Sequence, residues 1–202
     1  MHLPDGIIPL YQCIIYWIIT IICMFILRKF TSCEKEQNIV YIAIFTVLTF
    51  TLSSLSIPSP FGVPIHFFII PLIVIIFGPV TGCAVSFFSL LGQFLILNMG
   101  GITVLGANFI VMGLILSIIT YLIYRLFLEI NEKLAIFVGT IIGIMSATFT
   151  QVIILLLSGT VNFNVILSTL IPFYLFISIM EGILNIMFIT TISKIKPEIM
   201  ST

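Results

Sequence analysis

Apolar residues run on for about twenty positions at a time, seven times over, and that pattern leaves the chain few ways to fold. The runs cover roughly residues 8–27, 39–57, 63–77, 80–97, 107–128, 135–157 and 166–192. A helix of about 20 residues crosses the ~30 Å hydrocarbon core of a bilayer. Charged residues make up 7% of the 202, against about a quarter in a soluble domain, and mean hydropathy is +1.37. Inside a bilayer the backbone must satisfy its own hydrogen bonds, so the runs predict an all-α membrane protein, a bundle of seven transmembrane helices. The third and fourth runs are short, and FGPVTG between them predicts a tight Pro/Gly turn. Net charge is zero, so no basic surface points to nucleic acid. No GxxxxGK[ST] loop is present for a nucleotide.

The basic residues orient the bundle. Arg28, Lys29 and Lys35 follow the first run, Arg125 and Lys133 bracket the loop after the fifth, and Lys194 and Lys196 follow the seventh. All seven fall on one side if the N-terminus is outside and the C-terminus cytoplasmic, as the positive-inside rule requires of a multi-pass protein of the cell membrane. No Lys or Arg precedes the first run, and Asp5 stands where a signal peptide would be basic. The expected organisation is a single domain, 1–202: an N-terminal plug (1–7), the seven-helix bundle (8–192) and a cytoplasmic tail (193–202). The four cysteines, Cys13, Cys23, Cys33 and Cys83, form no CxxC pair and read as small hydrophobes. The external segments are then MHLPDG, SIPSPFGVPIH, NMGGITVLGAN and SGTVNFN.

Only two histidines exist, His2 and His66, and this topology puts both at the outer face. An interfacial histidine is ordinarily just an amphipathic residue, but His2 has a special position. The terminal amine, the His2 amide nitrogen and the His2 Nδ1 can bind one metal ion through a five- and a six-membered chelate ring. Three nitrogens then lie in one plane, which suits Ni(II) or Cu(II). His66 is the one imidazole left to supply a fourth. Pro4, Asp5 and Gly6 stiffen, cap and bend the stretch that follows, and they would equally serve as a plain turn before a helix.

These residues resemble the CbiM/NikM family, the substrate-binding membrane (S) components of energy-coupling factor (ECF) transporters for cobalt and nickel. MHLPDG is similar to the family's MHIPDG start. The block from His66 through FGPVTG, Gln93 and GGITVLGANFIVMG follows the family's His, LGP, Gln and GGxTxLGANxxxMG in order, and MEG at 180–182 is a weaker match to a GEG. The resemblance implies Met1, His2 and His66 as metal ligands, with the N-terminal loop folded back into the bundle. It implies transported Ni2+ or Co2+ rather than a cofactor. The implied partners are a transmembrane coupling subunit and two ATPase subunits, with room for a small accessory membrane subunit. The chain itself is then no enzyme, ATP hydrolysis falling to the separate subunits. GVPIH, SSLSIP and Met99 depart from the common pattern around the ligands, which leaves nickel and cobalt both open.

Three polar residues are candidates to support or gate the ligands: Asp5, Gln93 and Asn108. Asn108 could bond the plug or a ligated histidine, or simply cap a helix; Asp5 could bond His2 or backbone amides; Gln93, buried in a span, needs the plug or another helix as partner. Glu181 is the one carboxylate well inside a run, and the MEG match implies a structural or loop-closing contact for it. Small residues at four-residue spacing (Gly78, Gly82, Ser86; Gly139, Gly143, Ala147) predict close helix packing. Two other classes compete: a stand-alone secondary metal transporter or channel, and an intramembrane enzyme. The enzyme would need a nucleophile with a base, and no histidine lies within a span to serve.

Overall fold

The fold is described from a computed structural model, for residues 2–31, 37–55, 66–160 and 163–195. Met1, Cys33, Lys35, the 56–65 approach to His66, and the tail from Lys196 onward lie outside the described residues. Within them the secondary structure is all helical: α1 (Leu10–Thr31), α2 (Gln37–Ser54), α3 (Ile70–Leu97), α4 (Leu105–Phe109), a π-helical turn (Ile110–Ile115), α5 (Leu116–Leu128), α6 (Glu132–Ser158) and α7 (Phe163–Ile195). Taking Leu105–Leu128 as one rod, five helices are long and apolar enough to cross a membrane, and Ile39–Ser54 is a shorter apolar helix.

The third and fourth apolar runs emerge as one element, α3, broken in the middle. Gly78 leaves helical space (φ 86°, ψ 170°), and Pro79 begins the second arm. Positive φ of this kind is readily reached only by glycine. The break is a reversal. A Cβ added at Gly82 would stand 2.3 Å from Val74 Cγ2, whereas residues eight apart on an unbroken helix are ~12 Å apart along the axis. The two arms therefore lie against each other, and the turn expected at FGPVTG has shrunk to a single residue.

Local signals set the other ends. Asn131 caps α6, its side chain accepting from Leu134 N at 3.1 Å, and Gly159 ends that helix in the left-handed region. Asn98 (φ 53°) and Gly100 (φ 81°) turn the chain out of α3 into the loop that precedes α4.

Small residues set the helix spacing. Gly139 and Gly143 of α6 face Tyr124 and Thr120 of α5, and Gly82 faces Ser117, so these stripes pack the bundle internally. Gly106 in α4 lies against the backbone of Tyr16 and Trp17 in α1, and Thr20 donates to the Gly106 carbonyl at 3.2 Å. The opposite face of α1 shows Leu10, Ile14, Ile18, Ile22 and Phe25 outward, a stripe suited to lipid. A methyl group at Gly106 would meet Trp17 N at 2.8 Å. Gly106→Ala is therefore expected to push α1 away and destabilise the fold by about 1–3 kcal/mol, read as a lower Tm in detergent, with Gly92→Ala, whose added Cβ would meet only the Phe50 ring at 3.4 Å, as the milder control.

Candidate metal centre

The site begins with a loop that enters a bundle without being helical. Residues 2–9 precede α1, yet Leu3 is buried. Its two backbone polar groups need partners there, and one side chain supplies both. Leu3 N donates to Asn108 Oδ1 at 2.9 Å, and Asn108 Nδ2 donates to Leu3 O at 3.1 Å. Asn108 is itself buried inside α4, where it caps nothing. Asp5 forms a second tie: its Oδ1 accepts from Thr103 N at 3.1 Å and from Thr103 Oγ1 at 2.5 Å. Trp17 Nε1 donates to Ile102 O at 2.8 Å and holds the same loop from α1.

Two glycines make room for these contacts. A Cβ at Gly101 would overlap the Asp5 carboxylate at 2.0 Å. Gly100, at positive φ, presents its open side to Asn108, the Leu3 carbonyl and the His2 ring, with His2 Nδ1 4.0 Å from where a Cβ would be. The GGITVLGAN block is thus the receiving surface for the N-terminal loop. Leu105 and Ala107 fill the core, Gly106 admits α1, and Asn108 grips Leu3.

His2 Nδ1 is buried and has no hydrogen-bond partner. Burial lowers the His2 pKa to about 3, with the charge of the chain's amino end and then His66 adding to the shift. The ring is therefore neutral at ordinary pH and able to use a lone pair. His66 lies just before α3, and its Nδ1 is 3.0 Å from the Ser53 carbonyl. A carbonyl only accepts, so Nδ1 carries the proton and Nε2 is left with its lone pair. Burial also lowers the His66 pKa, the charge at the amino end adds, and the Ser53 bond opposes.

The support behind His66 comes from two directions. Gln93 Nε2 donates to Ser53 Oγ at 2.6 Å, and Ser53 Oγ donates to Thr49 O at 2.5 Å. Gln93 thus finds another helix as partner, and it fixes the end of α2 that carries the Ser53 carbonyl. On the other side, the Phe68 amide donates to Glu181 Oε1, and the Phe68 ring packs on Tyr174. The carboxylate of α7 secures the backbone two residues beyond His66, and its Oε2 has no partner. Ser53 and Phe68 were not legible as site residues; a serine among TLSS and a phenylalanine among apolar neighbours carry no distinguishing pattern.

Among the described residues no three of His, Cys, Asp or Glu gather as a metal cluster. Two imidazoles are what the side chains offer, so further donors would have to come from the backbone or the chain end.

Comparison with known proteins now gives the class: a transmembrane protein of metal uptake. A family model described as "Cobalt uptake substrate-specific transmembrane region" (CbiM) matches residues 2–199, and the chain belongs to that family. It is 31% identical to the cobalt transport protein CbiM of Clostridium tetani, over 96% of this chain and 85% of that one. It is 35% identical to the CbiM of Thermosipho melanesiensis, where the match covers 71% of this chain and 62% of the relative. The fold matches the crystal structure of a transition metal transporter with a TM-score of 0.87 at 24% identity, covering 98% of this chain and 95% of the other.

Replacing Asn108 by Ala removes both bonds to Leu3 and should loosen residues 2–9 by about 1–3 kcal/mol. In hydrogen exchange the amides of that loop should then exchange roughly 10- to 100-fold faster, while those of α5 and α6 stay as they are. An unchanged Leu3 amide would show that the loop is held by other means.

Proposed function

We propose that the protein is the substrate-capture subunit of an ECF-type importer and binds one Ni(II) or Co(II) ion near the outer face of the cell membrane. The ligands in this reading are the Met1 amine, the His2 amide nitrogen and Nδ1, and His66 Nε2. The carrying observation is the complementary condition of the two rings. His66 has committed Nδ1 to Ser53 and keeps Nε2 open, as metal-bound histidines do. His2 keeps Nδ1 buried and unpaired, a state that costs about 1–3 kcal/mol and that a metal ion would relieve. Asp5 and Asn108 then hold the chelating end in place, and Gln93 steadies His66 through Ser53.

The relatives are cobalt transport proteins by name, and a plane of nitrogen donors suits nickel somewhat better; titrating both metals on one sample decides the preference. The chain has no nucleotide loop, which supports dependence on a coupling subunit and two ATPase subunits. In this reading the chain crosses seven times with the N-terminus outside and the C-terminus cytoplasmic, which the one-sided basic residues and the reversal at Gly78 support. His66 and Gln93 both bond Ser53, and Gln93 is ~22 Å of helix beyond Gly78. The arm from His66 to Gly78 therefore covers a similar depth, which supports reading it as a crossing of its own.

His2→Ala and a one-residue extension before Met1 should each weaken nickel binding by more than ~100-fold, beyond the 10–100-fold typical of supporting residues. The extension variant should still fold, since it leaves every helix contact in place. If both variants bind like the parent, the chelate assignment is wrong.

Proton release gives a separate test. Both imidazoles are already neutral near pH 7, because their pKa values are lowered. Metal uptake should therefore release about two protons, from the amine (pKa ~7.7–8) and the His2 amide. Affinity should fall as pH drops below that range, and the imidazoles should begin to oppose binding only below their ordinary ~6.5. Calorimetry in buffers of different ionisation enthalpy reads the proton count directly.

A further inference from the structure

We propose that Glu181 is a positioning residue of the metal centre, acting through the Phe68 amide to hold His66 Nε2 where the other nitrogens meet. The inference rests on the reading of His66 as a ligand. Residues 66–69 precede α3 and are not helical, so their amides need partners from elsewhere in the bundle. The Phe68 amide finds Glu181 Oε1 on α7. Phe68 and Glu181 are each 4% exposed, so solvent does not compete for the bond. The arrangement repeats the one at His2, where Asn108 holds the backbone of Leu3. Each histidine thus lies one or two residues from an amide gripped by a buried side chain distant in sequence.

Three observations separate this contact from ordinary helix packing. Glu181 Oε2 has no partner among the described residues, so a buried carboxyl directs its bonding at one amide. A carboxyl inside a bilayer is costly, and packing alone would be met by an apolar side chain. Tyr174 lies two turns earlier on the same face of α7 and packs on the Phe68 ring, with centroids 6.1 Å apart. Main chain and side chain of Phe68 are therefore both held by α7. Two residues of chain span at most ~7 Å, so a fixed Phe68 amide limits how far the His66 backbone can move. The His66 ring has its own tie, from Nδ1 to the Ser53 carbonyl of α2. That bond alone leaves the ring free to swing about it. With the backbone held by α7 and the ring by α2, the direction of Nε2 is set.

The test loads the full chain with nickel in detergent and makes two measurements. X-ray absorption counts imidazoles per metal ion, and competition with a chelator gives the rate of nickel release. The parent should show two imidazoles. Glu181→Leu leaves the Phe68 amide unanswered; its count should fall towards one, and nickel should leave 10- to 100-fold faster, the range typical of supporting residues. Glu181→Gln keeps an Oε1 acceptor and should behave as the parent. Glu181→Asp, one methylene shorter, should lie between, and it carries the test if the Leu variant does not fold. Asn185→Leu controls for a purely structural role. Asn185 is also buried, one turn further along α7, and its Nδ2 donates to Thr140 Oγ1 of α6 at 3.1 Å. That variant should lower Tm while keeping two imidazoles and the parent's release rate. The proposal is overturned if Glu181→Leu, or Glu181→Asp in its place, keeps two imidazoles and the parent's rate. It is equally overturned if Glu181→Gln fails as Glu181→Leu does, or if Asn185→Leu speeds release as much. His66→Ala separates the two readings. If it still shows two imidazoles, the ligand assignment falls; if it shows one while Glu181→Leu keeps two, only the role of Glu181 falls.

Discussion

A loop without helical hydrogen bonds can enter an apolar bundle only where something else answers its amides and carbonyls. Here Asn108 answers both backbone groups of Leu3, and the placement of His2 depends on it. An asparagine amide offers one acceptor and one donor side by side, which matches the N–H and C=O of a single residue. Aspartate or leucine in its place would leave at least one buried group unsatisfied. The glycines at 100 and 101, the Thr103 tie and the Trp17 bond all act on the same contact. They shape a floor that accepts the loop, and α4 supplies the grip.

Much of this was legible in the sequence, and the reasons differ by element. Long apolar runs identify helices because the bilayer permits little else, and six of the seven fall in the five helices able to span, the third and fourth sharing α3. The LGAN block stood out because small residues and a lone amide are unusual in an apolar stretch, and each has a contact to explain it. Asn108 meets the plug rather than capping a helix, Asp5 meets backbone and side chain of Thr103, and Gln93 meets α2.

Other features depend on contacts between residues far apart in the chain. The Ser53 carbonyl is a backbone group, so no residue type advertises it. Glu181 was visible as an odd carboxylate, yet its partner is a main-chain amide 113 positions away. The merging of two apolar runs into α3 turns on one torsion at Gly78. A Gly-Pro pair announces a turn but does not say that the turn will be one residue long.

The rod from Leu105 to Leu128 carries one more consequence. Its π-helical turn at Ile110–Ile115 adds about one residue to the winding, and one residue is roughly 100° of rotation. Before the turn, Gly106 and Asn108 address α1 and the N-terminal loop; after it, Ser117, Thr120 and Tyr124 address α3 and α6. The turn works as a phase adjuster between two gear faces on one shaft. Losing a single residue there would keep the rod apolar and helical while swinging the Asn108 amide away from Leu3, so the length of this segment is constrained even where its side chains are interchangeable.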